Sequence, residues 1–330
     1  MKARVLVTRR FDLDGLRPLW DSCEVVYNDQ DAPLSREDLI EGVSEADALL
    51  CTVTDRVDEE VLRAAGRLRV ISTVSVGYDH VDVAAATRLR IPVTNTPDVL
   101  TETTADLTWA LILAAARRIA EGDRRVREGL FQRWGFLEFL GTDVHGKVLG
   151  IVGMGRIGMA VARRASGFAM RVLYNRRSRL SAEQEVALKA EYADLEFLLS
   201  ASDFITIHVP LNRETHHMIS DRELRMMKPT AILINASRGA VVDEEALCRA
   251  LETGRIAGAG LDVYEREPLV TPGLLKLPQV VLAPHVGSAT VETRRRMTER
   301  AVHNCLETLE GRVPPDLLNP EVLSPDGPTR

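Results

Sequence analysis

An apolar run, Val148 to Val152, passes directly into the turn Gly153-Met-Gly-Arg-Ile-Gly158, and Ile157, Ala160, Val161 and Ala165 then recur at helical spacing. Strand, glycine turn and helix in that order constrain the fold more than any other feature. A strand that feeds a helix through so tight a turn fits a parallel sheet covered by helices. A lone Gly-x-Gly-x-x-Gly is a weak signal, but here the apolar period changes from strand to helix on the correct sides of it. Gly153 permits the bend, Gly155 lets backbone approach a pyrophosphate, and Gly158 lets helix pack on strand. The helix start at Arg156 and Ile157 offers unbonded N–H groups and roughly half a positive charge to phosphates. The expected ligand is a dinucleotide.

The same alternation runs along most of the chain. Val5 to Thr8, Ala48 to Val53 and Val70 to Val74 read as strands, with helical spacing between them, as in Glu59 to Ala65. Near residue 100 the pattern changes to a long helix expected to run to about Ile119, with Thr101 as its cap and Glu102 in its first turn. From Lys147 the alternation restarts, with strands at Val148 to Val152, Arg171 to Tyr174, Phe204 to His208, Ala231 to Asn235, Ala257 to Leu261 and Val280 to Leu282. A last helix is expected over roughly Thr290 to Leu309, and the proline-rich tail from Val313 to Pro320 cannot continue it.

This is α/β architecture with two parallel sheets, and 330 residues exceed what one core usually serves. If the last helix returns to the first sheet, the dinucleotide domain is an insertion. The expected division is then residues 1–99, 100–288 and 289–330, with a ligand cleft at the hinge.

A net charge of −6 argues against general attraction to nucleic acid or anionic membrane, so an anionic substrate must be drawn by local positive charge. The amino terminus lacks the apolar stretch of a secretory signal, and the apolar run Leu107 to Ala116 is about half of the ~20 residues a membrane span needs. Cys23, Cys51, Cys248 and Cys305 are widely spaced, without Cys-x-x-Cys or a metal-ligand pattern. Separate thiols in a reducing cytoplasm are expected, with no metal.

The end of the strand after the glycine turn bears on which dinucleotide binds. An acidic residue there would take the ribose hydroxyls of NAD. This chain reads Tyr174-Asn175-Arg176-Arg177-Ser178-Arg179, three guanidiniums and a hydroxyl with no carboxylate, which suits a 2′-phosphate. NADP is favoured over NAD, the alternative being a solvated basic turn.

Three further motifs hold an arginine, a glutamate and a histidine: Asn235 to Gly239 around Arg238, Gly260 to Pro268 around Glu267, and Ala283 to Thr290 around His285. Hydride addition to a 2-oxo carbon builds charge on oxygen, and an acid of near-neutral pKa must protonate it. Imidazole suits that role, and a carboxylate partner favours its charged form. A guanidinium holds the carboxylate or polarises the carbonyl. Taken singly, each residue could instead be a capping salt bridge, a loop carboxylate or a loop imidazole.

With these motifs in order, and with Ile71 to Val81 and Thr96 to Ala105, nearly the whole chain resembles the D-isomer-specific 2-hydroxyacid dehydrogenase family, and within it the glyoxylate and hydroxypyruvate reductases. The resemblance implies a Rossmann NAD(P)-binding domain inserted into a flavodoxin-like substrate domain, with a helical arm pairing subunits into a homodimer. It carries substrate arginine, tuning glutamate and proton donor onto Arg238, Glu267 and His285. Asp262 would lie near the nicotinamide carboxamide, with Ala236, Ser237 and Gly287 as further cofactor contacts. The backbone amides of Val76 and Gly77 would hold the substrate carboxylate. Trp134, within Arg133 to Leu140, resembles the aromatic residue that closes the pocket and would restrict it to short acids, the alternative being an interface or core residue.

The implied activity is NADPH-dependent reduction of glyoxylate and hydroxypyruvate. A reductase of a longer acid such as 2-ketogluconate, a phosphoglycerate or phosphonate dehydrogenase, and a nicotinamide-sensing corepressor remain alternatives. His80 is expected to bond within its own loop, His208 to neighbour the cofactor without chemistry, and His216 and His217 to lie at the surface. Glu265 is the carboxylate that competes with Glu267.

Overall fold

Short stretches of aliphatic and β-branched residues form the strands, and the more polar stretches between them form the helices that cover both sheets. The computed structural model describes residues 2–324. The chain opens with β1 (Arg4–Val7), α1 (Leu13–Ser22), β2 (Glu24–Tyr27), α2 (Arg36–Glu45), β3 (Ala48–Cys51), α3 (Glu59–Ala64), β4 (Val70–Thr73), α4 (Val83–Arg88) and β5 (Val93–Thr94). These strands make a parallel sheet of five in the order β2-β1-β3-β4-β5, the flavodoxin-like arrangement. Side chains of Asp12, Ser35, Asp58 and Asp82 cap its helices by accepting from backbone N–H groups.

The chain continues with α5 (Thr101–Ala116), α6 (Ile119–Arg127), β6 (Val148–Val152), α7 (Arg156–Ala165), β7 (Arg171–Asn175), α8 (Ala182–Leu188), β8 (Ala190–Tyr192), α9 (Leu195–Ala201), β9 (Phe204–Ile207), α10 (Asp221–Met226), β10 (Ile232–Asn235), α11 (Glu244–Glu252), β11 (Gly258–Leu261) and β12 (Val280–Leu282). The order of this seven-stranded parallel sheet, β12-β11-β10-β9-β6-β7-β8, reverses direction at β6 and β9, as in a Rossmann fold. Its central strands β9, β10 and β11 are buried throughout, because helices cover both faces. Trp109 of α5 donates to the Val161 carbonyl of α7 at 3.1 Å and stacks on Phe168, which ties the covering layer together.

Finally α12 (Val291–Leu309) returns to the first sheet. Ser72 of β4 donates to the Ala301 carbonyl at 2.8 Å, and Asn304 donates to the Asn95 carbonyl at 3.1 Å. Residues up to Leu100 and from Ser288 onward thus form one compact unit, and Thr101–Gly287 forms the other. The last six residues of the expected carboxy-terminal segment, 325–330, lie outside the described residues.

Two local expectations are corrected. The helix that begins at Thr101 stops at Ala116 instead of running to Ile119, and Thr101 is its first residue and not its cap. Arg118 takes a left-handed backbone, φ 53°, and its guanidinium grips Glu121 at 2.8 and 2.9 Å, so a second helix starts at Ile119. Strands β2, β5 and β8 carry no clear sequence signal. All three lie at sheet edges, where a strand needs fewer apolar residues. The four cysteines are buried free thiols, and among the described residues no helix is long and apolar enough to cross a membrane.

Candidate active site

Strands β10, β11 and β12 are neighbours running in one direction, so the segments that follow them emerge on the same edge of the sheet. Those segments carry Arg238, the 262–267 turn and His285. Ligand sites of open α/β sheets lie at this carboxyl edge.

His285 Nδ1 donates to Glu267 Oε2 at 2.7 Å, while Glu267 Oε1 accepts the Tyr264 N–H at 2.9 Å. The carboxylate is therefore held at one oxygen by its own turn and presents the other to the imidazole. Burial pushes the Glu267 carboxyl up, but the hydrogen bond and charge of His285, the Tyr264 amide and the Arg238 guanidinium outweigh it and leave Glu267 below the usual carboxylate range. With Nδ1 committed to Glu267, Nε2 is the nitrogen left to hand over a proton.

His285 also has φ 54°, a left-handed backbone that costs a non-glycine residue on the order of 1 kcal/mol or more. Asp262 sustains it. The His285 N–H donates to the Asp262 carbonyl at 2.9 Å, and the Asp262 carboxylate accepts the N–H groups of Val286 at 2.7 Å and Gly287 at 2.8 Å. Burial pushes the Asp262 carboxyl up, against the pull of those two amides and of His285. Asp262, the acid expected near the nicotinamide, thus holds the His285 turn.

Arg238 follows β10 by way of Asn235, a buried residue that sequence reasoning passed over. The Asn235 amide donates to the Arg238 carbonyl at 3.0 Å, while its oxygen accepts from the N–H and hydroxyl of Ser237 at 3.1 and 2.9 Å. Ala236 and Ser237 are thereby folded into a closed loop, and the Arg238 guanidinium donates to the Ser237 carbonyl at 2.8 Å. A polar residue closing the apolar run Ile232-Leu-Ile-Asn235 was the available clue.

Gly239 presses this loop against the 264–267 turn: a Cβ there would lie 1.8 Å from the Tyr264 carbonyl carbon. Gly239→Ala is expected to cost about 2–3 kcal/mol of stability, since backbone meets backbone with no side chain to yield. Urea unfolding would measure this, and a wild-type midpoint would refute the packing argument.

At the glycine turn, Gly153 has φ 99°, and a Cβ would meet the His208 backbone at 2.6 Å. At Gly158 a Cβ would lie 2.3 Å from the Gly153 carbonyl oxygen, whereas at Gly155 it would meet no protein atom within 4 Å. Gly153 and Gly158 therefore answer to packing within the protein, and Gly155 keeps a surface bare. Helix α7 starts there with Arg156 and Ile157 and has no side-chain cap, unlike the Asp- and Ser-capped helices around it. A bare backbone surface beside uncapped amides fits a dinucleotide pyrophosphate.

The basic turn differs from its local reading. Asn175 is structural, donating to the Ala193 carbonyl at 2.9 Å. Arg176 donates to the Met154 carbonyl inside the glycine turn at 3.2 Å. Arg179 is bound at 2.8 and 2.9 Å by Glu185, whose carboxyl falls to about 2 because of Arg179 first and the Tyr174 hydroxyl second. Arg177 pairs with Glu214 at 2.9 Å, in a surface pair worth little, and Ser178 is exposed. The stretch has no carboxylate of its own, but the fold supplies two from elsewhere.

Val76 and Gly77 lie in the loop after β4, where their carbonyls accept from Asn95 at 2.8 Å and from Ser75 at 2.6 Å. Trp134 is 76% exposed, edge-on to Phe136. His80 bonds to Thr73 at 2.9 Å. Burial pushes His208 down to about 3, so it stays neutral and cannot act as a charged acid. His216 is at the surface, but His217 is half-buried and donates to Glu265 Oε1 at 3.0 Å, which corrects the expectation that both are surface groups. Glu265 is thereby engaged away from His285. Glu244, also missed, is buried and accepts the Glu265 N–H at 2.5 Å and the Thr271 hydroxyl at 2.6 Å. No local pattern marks it, because its partners come from the far side of β11.

Comparison with known proteins shows the family of the chain. Residues 109–287 match the family model described as D-isomer specific 2-hydroxyacid dehydrogenase, NAD binding domain. Glyoxylate reductase of Thermococcus onnurineus is 49% identical over 328 residues, 98% of each chain. The enzyme of the same name from Korarchaeum cryptofilum is 52% identical over 325 residues, again 98% of each. A crystal structure of NADPH-dependent glyoxylate/hydroxypyruvate reductase from Sinorhizobium meliloti, in complex with NADP and malonate, superposes with a TM-score of 0.86 at 32% identity, covering 98% of both chains.

Proposed function

Because the chain belongs to the D-isomer specific 2-hydroxyacid dehydrogenases, we propose that this NAD(P)-dependent oxidoreductase reduces glyoxylate to glycolate and hydroxypyruvate to D-glycerate, with NADPH preferred. The observation that carries the reading is the 2.7 Å contact from His285 to Glu267, on the carboxyl edge of the sheet that also bears the glycine turn. A reduced nicotinamide, when bound, supplies the hydride that adds to the 2-oxo carbon. Arg238 holds the acid by its carboxylate or carbonyl and stabilises the charge that grows on oxygen. His285 gives that oxygen its Nε2 proton, completing the hydroxyl, and is left as the neutral tautomer whose Nδ1–H stays on Glu267. Glu267, held below the usual carboxylate range, remains ionised throughout and orients the ring through Nδ1. The relatives' names support glyoxylate as the acid.

Asp262, Gly287, Ala236 and Ser237 stand as cofactor contacts in this reading, and Arg176 with Arg177 and Ser178 as the 2′-phosphate contacts. Arg176 is preferred over Arg179, which Glu185 already holds. Phe131, Trp134, Phe136 and Leu137 are all at least 66% exposed, an apolar arm better suited to pairing two subunits than to facing water. On that reading Trp134 narrows the pocket to short acids, and the buried thiols suit a reducing cytoplasm.

The test is turnover of NADPH and NADH against glyoxylate, hydroxypyruvate, 2-ketogluconate and bulky 2-oxo acids. Short acids with NADPH are expected to lead, and preference for a bulky acid, or no oxidation of either nucleotide, would overturn the proposal. In Arg176→Ala the KM for NADPH should rise about tenfold, roughly one charge-assisted contact, with NADH unchanged. Equal effects on both nucleotides would remove the 2′-phosphate role.

A further inference from the structure

We propose that His216, His217 and Glu265 form a binding site for a divalent transition-metal cation of the Zn2+ type, on the side of the 264–267 turn away from His285. One ligand atom from each of the three residues lies within 4.8 Å of the others. The two imidazoles stack with centroids 4.1 Å apart and planes 29° apart. Adjacent residues of an extended chain would point their rings to opposite sides. His217 avoids this with a left-handed backbone, φ 49°.

The backbone beneath is fixed. The His217 N–H donates to the Ala240 carbonyl at 2.8 Å and the Ile219 N–H to the Val241 carbonyl at 3.1 Å. Asn212 accepts from the N–H groups of Glu214 and Thr215, closing the preceding turn. On the other side, the buried Glu244 carboxylate anchors the Glu265 N–H. Both halves of the ligand set are therefore pre-positioned.

Two imidazoles and a carboxylate are a ligand set that zinc accepts, with water completing a tetrahedron whose corners are about 3.3 Å apart for bonds near 2.0–2.1 Å. His217 Nε2 and Glu265 Oε1, at 3.0 Å, already span one such edge, with the N–H proton where a cation would bind. His216 is exposed, so its ring can rotate to supply the third corner without disturbing a core. Nitrogen donors disfavour Ca2+ and Mg2+ here, since those ions take oxygen ligands. The occupied site would clamp the turn after β9 to the turn after β11.

The test is titration of the full-length, chelator-treated protein with Zn2+, read by calorimetry and by melting temperature, and with Co2+, read by its visible spectrum. One Zn2+ per chain is expected, with a rise in melting temperature from binding to the folded state alone. His216→Ala should weaken binding at least about tenfold and remove that rise, while leaving folding and metal-free turnover intact. Glu265→Gln should weaken it similarly. Stoichiometry and affinity unchanged in both His216→Ala and the His216→Ala, His217→Ala pair would overturn the proposal, as would no Zn2+ binding by the unsubstituted chain.

Discussion

Replacing Arg238 by alanine is expected to lower kcat/KM for a short 2-oxo acid by about 10²- to 10³-fold, the usual cost of removing one donor from a developing oxyanion. Both kcat and KM should worsen, because in the proposed mechanism the same guanidinium holds the acid and stabilises its transition state. Arg238→Lys should restore little, since an ammonium lacks the planar fork. The loop itself should survive, because Asn235 bonds to the backbone of Arg238 and to Ser237, not to the guanidinium. Steady-state kinetics with glyoxylate would decide it. Near-normal turnover by a folded Arg238→Ala protein would remove the residue from the mechanism.

The second large effect belongs to His285, the proposed proton donor. His285→Ala should reduce kcat about 10²- to 10⁴-fold, the range ascribed to positioned acid catalysis, with a smaller change in nucleotide affinity. Glu267→Gln should be milder and should carry a signature in pH. A glutamine has no carboxylate to protonate, so the loss of kcat/KM that accompanies protonation of Glu267 in the wild type should be absent from the acid limb of the variant. Because Glu267 is held below the usual carboxylate range, its charge in the wild type should persist into mildly acid solution. A Glu267→Gln profile whose acid limb superposes on that of the wild type would count against the proposed role of the carboxylate.

Much of the site was legible in the residues because its requirements are local. A glycine with φ 99° at Gly153, a helix starting without a cap at Arg156, and strands ending at Asn235, Leu261 and Leu282 leave marks within a few positions of themselves. The pairing of carboxylates with their partners was not legible. Glu265 and Glu267 stand two apart in one turn, yet one meets His217 across 48 residues and the other meets His285 across 18. Motif resemblance pointed to Glu267, and only the bonding of the turn supplies a physical reason. The Tyr264 N–H takes one Glu267 oxygen and Glu244 takes the Glu265 N–H, which turns the two side chains apart.

Alone, the sequence determined the α/β class and the strand, glycine turn and helix at Gly153 to Gly158, because apolar period and backbone permissiveness act between near neighbours in the chain. Tertiary structure decided which charges face one another. It returned α12 to the first sheet, gave Arg179 to Glu185 and left Arg176 beside the glycine turn, and stacked two imidazoles beside Glu265. Electrostatic partners depend on distance in space, and parallel crossovers bring together residues that the chain keeps far apart.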